Sequence, residues 1–393
     1  MELSPRSKPY IIPEYSLTGD LISFLTCNLQ YRYQNRGTLP PSMPIQLWFG
    51  EFIHGVMEES FLEWNTKKIS FPWDWKNQIR PIEEMIDKRL RARGLYPPLD
   101  FFCKFESKKN SVLGTCPDKN HPHKLLYSAR AEKAINVWGP DLFPLIDSAE
   151  VLIKGKRPMP NFDKENSRSN YYGINGVIDV ISSLKINEIN NNKIVKYLKN
   201  NKEISKKLKA FEDDEYEVII DYKGMKRPPL KSNNWFYHQW QILTYSWLRS
   251  KQEDSKPIVA GIIFYLNELV PSTEDLIALK QDILNGCNDV KISDIEESLI
   301  LGWNEDKDNY INLSDKLKEK RSIRIINIEN DSISNALIEF DDVVANIEDS
   351  IIKEMKGIPI KNAWNAKGDK RTCDACDFKN FCNKPLSENM KVP

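Results

Sequence analysis

Residues with the chemistry of metals and phosphates stand out in two short stretches. In YEVIIDYKG, residues 216–224, an acid and a base two positions apart, Asp221 and Lys223, interrupt an apolar run. Side chains alternate along a strand, so Ile219, Asp221 and Lys223 share one face while Val218, Ile220 and Tyr222 take the other. Two positions span roughly 6.5–7 Å, which lets a carboxylate hold a divalent cation while an ammonium approaches the same water. GVIDVI adds a second carboxylate, Asp179, flanked by Val177, Ile178, Val180 and Ile181. Two acids on neighbouring apolar strands repel unless a cation sits between them. By itself D-x-K is also how a strand ends at a solvated edge, with Gly224 starting a turn.

The second stretch is TCDACDFKNFC, residues 372–382, in which Cys373, Cys376 and Cys382 fall within eleven positions. A chain of this size does not depend on disulfide staples, so in a reducing compartment such a cluster reads as a metal site. Four thiolates can bind zinc or a four-iron, four-sulfur cluster, and spacing alone separates these poorly. Cys27, taken alone, reads as a buried small hydrophobe. Cys103, Cys116, His121 and His123 are too irregularly spaced for a second zinc site, and their polar stretch, ESKKNSVLGTCPDKNHPHK, reads as an exposed or DNA-contacting loop.

These residues need elements to position them. SLTGDLISFLTCNLQYRYQNR, residues 16–36, predicts a capped helix with Cys27 near its end. PIQLWFGEFIHGVMEESFLEW predicts another, with Leu47, Gly50, His54, Met57 and Phe61 on one face at helical spacing. A histidine on such a stripe is ordinarily a satisfied core residue. From Glu150 the pattern changes to short strands: AEVLIKGK, YYGINGVIDVI, YEVIIDYKG and PIVAGIIFYL. An Asn- and Lys-rich insertion near 185–214 predicts a surface excursion. NNWFYHQWQILTYSWLR has helical periodicity, and Gln241 and Tyr245, four apart, share a face. Beyond 271 the chain is expected to be helical, with Leu337, Phe340, Val344, Ile347, Ile351 and Met355 forming an apolar stripe.

Composition sets limits. The chain has 393 residues, 40% of them hydrophobic, and 56 basic against 56 acidic side chains, so no global positive field announces nucleic acid. Local patches at Lys88, Arg89, Arg91 and Arg93, at Lys206, Lys207 and Lys209, and at Lys223, Lys226 and Arg227 read first as solvated faces. No run of about 18 apolar residues suits a membrane span, and MELSPRSKPY lacks a signal-peptide core, so a cytoplasmic location is expected. No G-x-x-x-x-G-K-[ST] loop is present, so a helicase motor would be a separate partner.

Asp179 in G-V-I-D-V, D-Y-K at 221–223, and Gln241 and Tyr245 in Q-I-L-T-Y together resemble the PD-(D/E)XK nuclease superfamily in its RecB-like form. His54 in G-E-F-I-H-G resembles the histidine that precedes this core. Cys27 with Cys373, Cys376 and Cys382 resembles the split cysteine set of the iron-sulfur branch, which includes AddB-type recombination nucleases and a CRISPR-associated exonuclease family.

The resemblance implies an α/β fold with a restriction-endonuclease-like mixed sheet flanked by helices, an iron-sulfur clamp joining both termini, and helical insertions. It implies that His54, Asp179, Asp221 and the carbonyl of Tyr222 hold Mg2+ or Mn2+, that Lys223 orients the attacking water, and that Gln241 and Tyr245 position the DNA backbone or the lysine. Glu150 is a weaker match as an additional acid. Cys27, Cys373, Cys376 and Cys382 would hold a 4Fe-4S cluster rather than zinc. The expected organisation is an N-terminal helix at 1–40, a helical region with His54 at 41–145, the nuclease core at 146–270, a helical region at 271–368 and the cysteine segment at 369–393. The implied substrate is DNA with single-stranded ends, with helicase or CRISPR adaptation proteins as partners, in CRISPR adaptation, recombinational repair or defence. Trp235, Phe236, Tyr237 and Trp240 are candidates to stack on unpaired bases. The competing expectation is a non-cleaving iron-sulfur DNA-binding or scaffolding subunit. Many compact members carry Glu where this chain has Asp221.

Overall fold

The computed structural model describes residues 12–37, 45–97, 126–185, 191–209, 215–304 and 310–382. The loop with Cys103, Cys116, His121 and His123 lies outside them.

Six strands form one mixed sheet among these residues: β1 (Glu14–Ser16), β2 (Ile146–Pro158), β3 (Tyr171–Lys185), β4 (Glu215–Lys223), β5 (Ile258–Tyr265) and β6 (Ile323–Asn327). The four strands expected from sequence are β2 to β5. β1 is too short to show periodicity, and β6 is a five-residue run inside a region whose flanks are helical. Along one edge β3 pairs antiparallel with β2 over most of its length. On the other edge its residues 173–175 pair with β1 and its residues 180–185 pair with β4. Residues 176–179 therefore face a gap in the sheet, between the end of β1 and the last β3–β4 pair, Val180–Ile220. Asp179 and Asp221 are the next residues beyond that pair.

The helices divide by sheet face. On one side α1 (Ile45–Lys67), α2 (Arg80–Ala92) and α3 (Leu126–Leu142) pack with α4 (Lys193–Asn200) and α5 (Lys202–Lys209) against Val218, Ile220, Ile262 and Phe264. On the other, α6 (Asn233–Arg249) and α10 (Asn330–Met355) cover Ile219, Ile263 and Tyr265. The alternation expected for β4 is what separates these two cores. Between α6 and α10 run α7 (Thr273–Leu284), α8 (Asp294–Gly302) and α9 (Asp315–Ser322), which share a small core of their own with Leu276, Ile300, Trp303 and Leu317.

Several expectations need correction. The 185–214 insertion is not a mere surface excursion, because α4 and α5 bury Ile194, Val195, Leu198, Ile204 and Leu208 in the first core. The buried face of α1 is Trp48, Phe52, Ile53, Val56, Met57 and Phe61, and Leu47 is 43% exposed, so His54 sits at the margin of the apolar face. Residues 16–36 do not make one helix: at Cys27 the backbone is extended, with φ −162° and ψ 112°, between short helical turns. The stripe on α10 is buried from Leu337 to Ile351, while Met355 at its end is exposed. Each fully buried Leu, Ile or Phe of these cores contributes about 1.5–3 kcal/mol. No helix among the described residues is long and apolar enough to cross a membrane.

Candidate metal and phosphate site

The gap in the sheet collects polar side chains from five elements. From α1, His54 places Nδ1 3.2 Å from Asp179 Oδ2. The same oxygen accepts a hydrogen bond from the Tyr222 backbone N–H at 2.8 Å. That N–H is beyond the β3–β4 ladder, which ends at Ile220. Glu150 on β2 stands across from Asp179, its backbone in the left-handed region at φ 50°. For a non-glycine residue inside a strand this conformation is costly, and such strain concentrates at functional sites. It aims a carboxylate at the gap: one donor atom each from His54, Glu150 and Asp179 lies within 4.8 Å of the others.

A second group adjoins the first. Lys223 Nζ lies 2.8 Å from Asp221 Oδ2 and donates to Gln241 Oε1 at 2.9 Å. Gln241 Nε2 in turn donates to Asp221 Oδ1 at 3.1 Å, closing a triangle of three side chains. Tyr245, one turn further along α6, packs its ring on Gly176 in the gap, its hydroxyl beside Gln241 and the Val177 backbone. A Cβ at Gly176 would stand 2.5 Å from Tyr245 Cε1, so the close approach requires glycine.

The electrostatics divide the two aspartates. Burial alone would raise Asp179, but His54, then Lys223 and the Tyr222 N–H, hold it below the usual carboxylate range. Burial pushes Asp221 up to about 6, against the pull of Lys223 and with help from the Asp179 charge. Burial would lower His54, yet Asp179 and Asp221 outweigh it and take the imidazole up to about 9. Partial burial and the Asp179 charge push Glu150 up to about 7, although its side chain reaches solvent. Carboxylates whose environments push their pKa values apart are the pattern of acid and base sites, and a divalent cation among them would relieve the repulsion directly. The donor set, one imidazole and carboxylates, suits Mg2+ or Mn2+.

The structure thus brings together His54, Asp179, Asp221, Tyr222, Lys223, Gln241 and Tyr245. Glu150, only weakly matched from sequence, joins His54 and Asp179, while Asp221 faces Lys223. His238 carried an overlooked signal: with Gln241 and Tyr245 it makes an i, i+3, i+7 stripe on α6. Of the aromatics weighed for base stacking, Trp240 is buried. Of the basic patches, Arg227 is 7% exposed and paired with Asp289 at 2.6 Å.

At the far end of the second core Cys27, Cys373, Cys376 and Cys382 line one small cavity, with Gln30, Gly368 and Thr372. The break in the helical turns is what presents Cys27 there. Burial, then the neighbouring thiols, raises the Cys376 thiol.

A sequence model of the PD-(D/E)XK nuclease superfamily matches residues 208–383. That span holds Asp221, Lys223, Gln241, Tyr245 and the three C-terminal cysteines; His54, Glu150, Asp179 and Cys27 lie before it. The similarity implies a metal-dependent nuclease in general, with nucleic acid as substrate, and the open mixed sheet flanked by helices is consistent with a restriction-endonuclease-like fold. No curated protein matches the chain.

Proposed function

We propose that this chain is a metal-dependent deoxyribonuclease that hydrolyses phosphodiester bonds at single-stranded ends. The observation that carries the reading is the pairing, in one gap of the sheet, of a three-donor set, His54, Glu150 and Asp179, with the Asp221–Lys223–Gln241 triangle. His54, Asp179 and Glu150 would hold the cation, with Asp221 and the Tyr222 carbonyl completing its surroundings. When bound, Mg2+ or Mn2+ supplies Lewis acidity at the phosphoryl oxygen and lowers the pKa of its water. Lys223, locked by Asp221 and Gln241, orients the attacking water and stabilises charge that develops on the phosphoryl oxygens. Gln241 fixes the lysine, and Tyr245 fixes Gln241. Trp235, Phe236 and Tyr237, all at least partly exposed at the start of α6, support a single-stranded substrate, since unpaired bases stack on such rings.

The four cysteines would hold a 4Fe-4S cluster. In support, all four line one small cavity, and four thiolates are the ligand set of such a cluster.

The test is digestion of end-labelled single- and double-stranded DNA with Mg2+ or Mn2+, by anaerobically purified wild type beside Asp179→Ala. Metal-dependent products absent from the variant are expected, and the position of the label gives polarity. Folded wild type that leaves every substrate intact would sink the assignment.

A further inference from the structure

Lys223 has a fourth neighbour that the proposed chemistry leaves unused. Across the β4–β5 ladder Lys223 stands opposite Tyr265, and His238, one turn before Gln241 on α6, places Nδ1 3.1 Å from the Tyr265 hydroxyl. Behind Tyr265 stands Arg324 of β6, only 4% exposed. Its guanidinium lies over the rings of Trp235, at 4.3 Å, and Tyr265, at 5.5 Å, and its Nη2 donates to the Pro228 carbonyl at 2.8 Å and to Asp289 at 2.9 Å.

A buried hydroxyl hydrogen needs an acceptor. Among the described residues His238 Nδ1 is the one acceptor within reach of the buried Tyr265 hydroxyl, which therefore turns its hydrogen to it. That assigns the tautomer: Nδ1 accepts, and the imidazole hydrogen rides on Nε2. Among the described residues Nε2 has no hydrogen-bond partner. Burial, then Lys223 and Arg324, also holds the imidazole down to about 3, so it stays neutral beside the lysine.

Asp221, Gln241 and Tyr265 are each less than 9% exposed, whereas His238 is partly exposed. Of these four groups around the lysine, His238 is the one open to an incoming ligand. We propose that His238 is a substrate-binding residue whose Nε2 hydrogen bonds a phosphate oxygen of the DNA strand, at a linkage next to the one Lys223 serves. An uncharged donor fits this place, because a third cation beside Lys223 and Arg324 would be expelled. The inference rests on the nuclease reading for the path of the strand.

The test is binding of a fluorescein-labelled single-stranded oligodeoxynucleotide in EDTA, where no strand is cut, with a single uncharged methylphosphonate moved along the linkages. Wild type is expected to lose about ten-fold in affinity at one linkage position, the size of a hydrogen bond to a charged group. His238→Ala should bind the unmodified strand about ten-fold more weakly and show no further loss at that position. His238→Gln, which keeps an N–H donor near Nε2, should recover most of the affinity and shows that the loss is not one of folding. Equal affinity and the same interference pattern in wild type and His238→Ala would overturn the proposal, as would failure of wild type to bind the strand. Cleavage with Mn2+ is scored separately: binding with the expected interference but no cleavage would remove the hydrolysis and leave the phosphate contact standing.

Discussion

The lysine of the site is constrained from two directions, and the consequences differ for each partner. Lys223→Ala should lower cleavage about 100- to 1,000-fold, the usual effect of losing one group that stabilises transition-state charge, with the thermal midpoint little changed. Gln241→Ala leaves the lysine in place but frees it to rotate, so roughly a 10- to 100-fold loss in turnover is expected, with metal affinity retained. Single-turnover kinetics at saturating metal separates the two. A residue far from this chemistry controls stability: Glu83 of α2 is fully buried, accepting from Ser128 at 3.0 Å and Trp75 at 3.2 Å. Burial pushes it up to about 7, partly offset by Arg80 and these hydrogen bonds. Between about 4.5 and 7 the folded chain keeps a proton that the unfolded chain releases, so stability falls as pH rises through that window. Denaturant melts of Glu83→Gln should lose this slope and, at pH 8, gain on the order of 2–3 kcal/mol. An unchanged slope would show that the carboxyl is not the source.

At the scale of elements, the site depends on how closely α6 approaches the sheet, and two glycines permit it. A methyl group at Gly176 would meet Tyr245 at 2.5 Å, and one at Gly261 would meet Ile242 Cγ2 at 2.2 Å. Overpacking of this kind costs typically 1–3 kcal/mol. Gly176→Ala and Gly261→Ala should therefore be destabilised comparably in chemical denaturation. Cleavage should fall further in Gly176→Ala, because only there is the displaced group Tyr245, which supports Gln241. Equal activity losses at equal stability would mean that Tyr245 is packing alone. The elements themselves were legible to different degrees. β2 to β5, α1, α6 and α10 carry clear periodicity, whereas β1 and β6 are three and five residues long and gain their strand geometry from neighbours. The insertion near 185–214 is poorly legible because its Lys and Asn content masks an amphipathic pattern, Ile194, Val195, Leu198, Ile204 and Leu208, that two short helices bury.

Across the whole molecule, the two ends of the described chain meet beside the second core. Leu29 N–H bonds to the Asn365 carbonyl at 3.3 Å, Arg32 pairs with Glu354, and Trp364 packs on Phe24 and Tyr31. These contacts join the segments without any cofactor, so a cluster on the four cysteines would reinforce an existing junction. Cys376→Ser should abolish iron and sulfide content and visible absorption and lower the thermal midpoint by roughly 10 °C, a few kcal/mol at about 2–4 °C each. A variant that keeps its absorption and midpoint would remove Cys376 from the ligand set. The sequence by itself determined the chemistry on offer, because residue types and local periods are local properties: D-x-K on an apolar strand, Gln241 and Tyr245 on one helix face, and a tight cysteine cluster. Tertiary structure alone decided which groups meet. The gap in the sheet beside β3, the left-handed turn of Glu150 towards Asp179, the arrival of His54 from α1 and the Tyr265–His238 contact all join residues far apart in the chain. Their proximity is set by strand register and helix packing, and no local pattern encodes either.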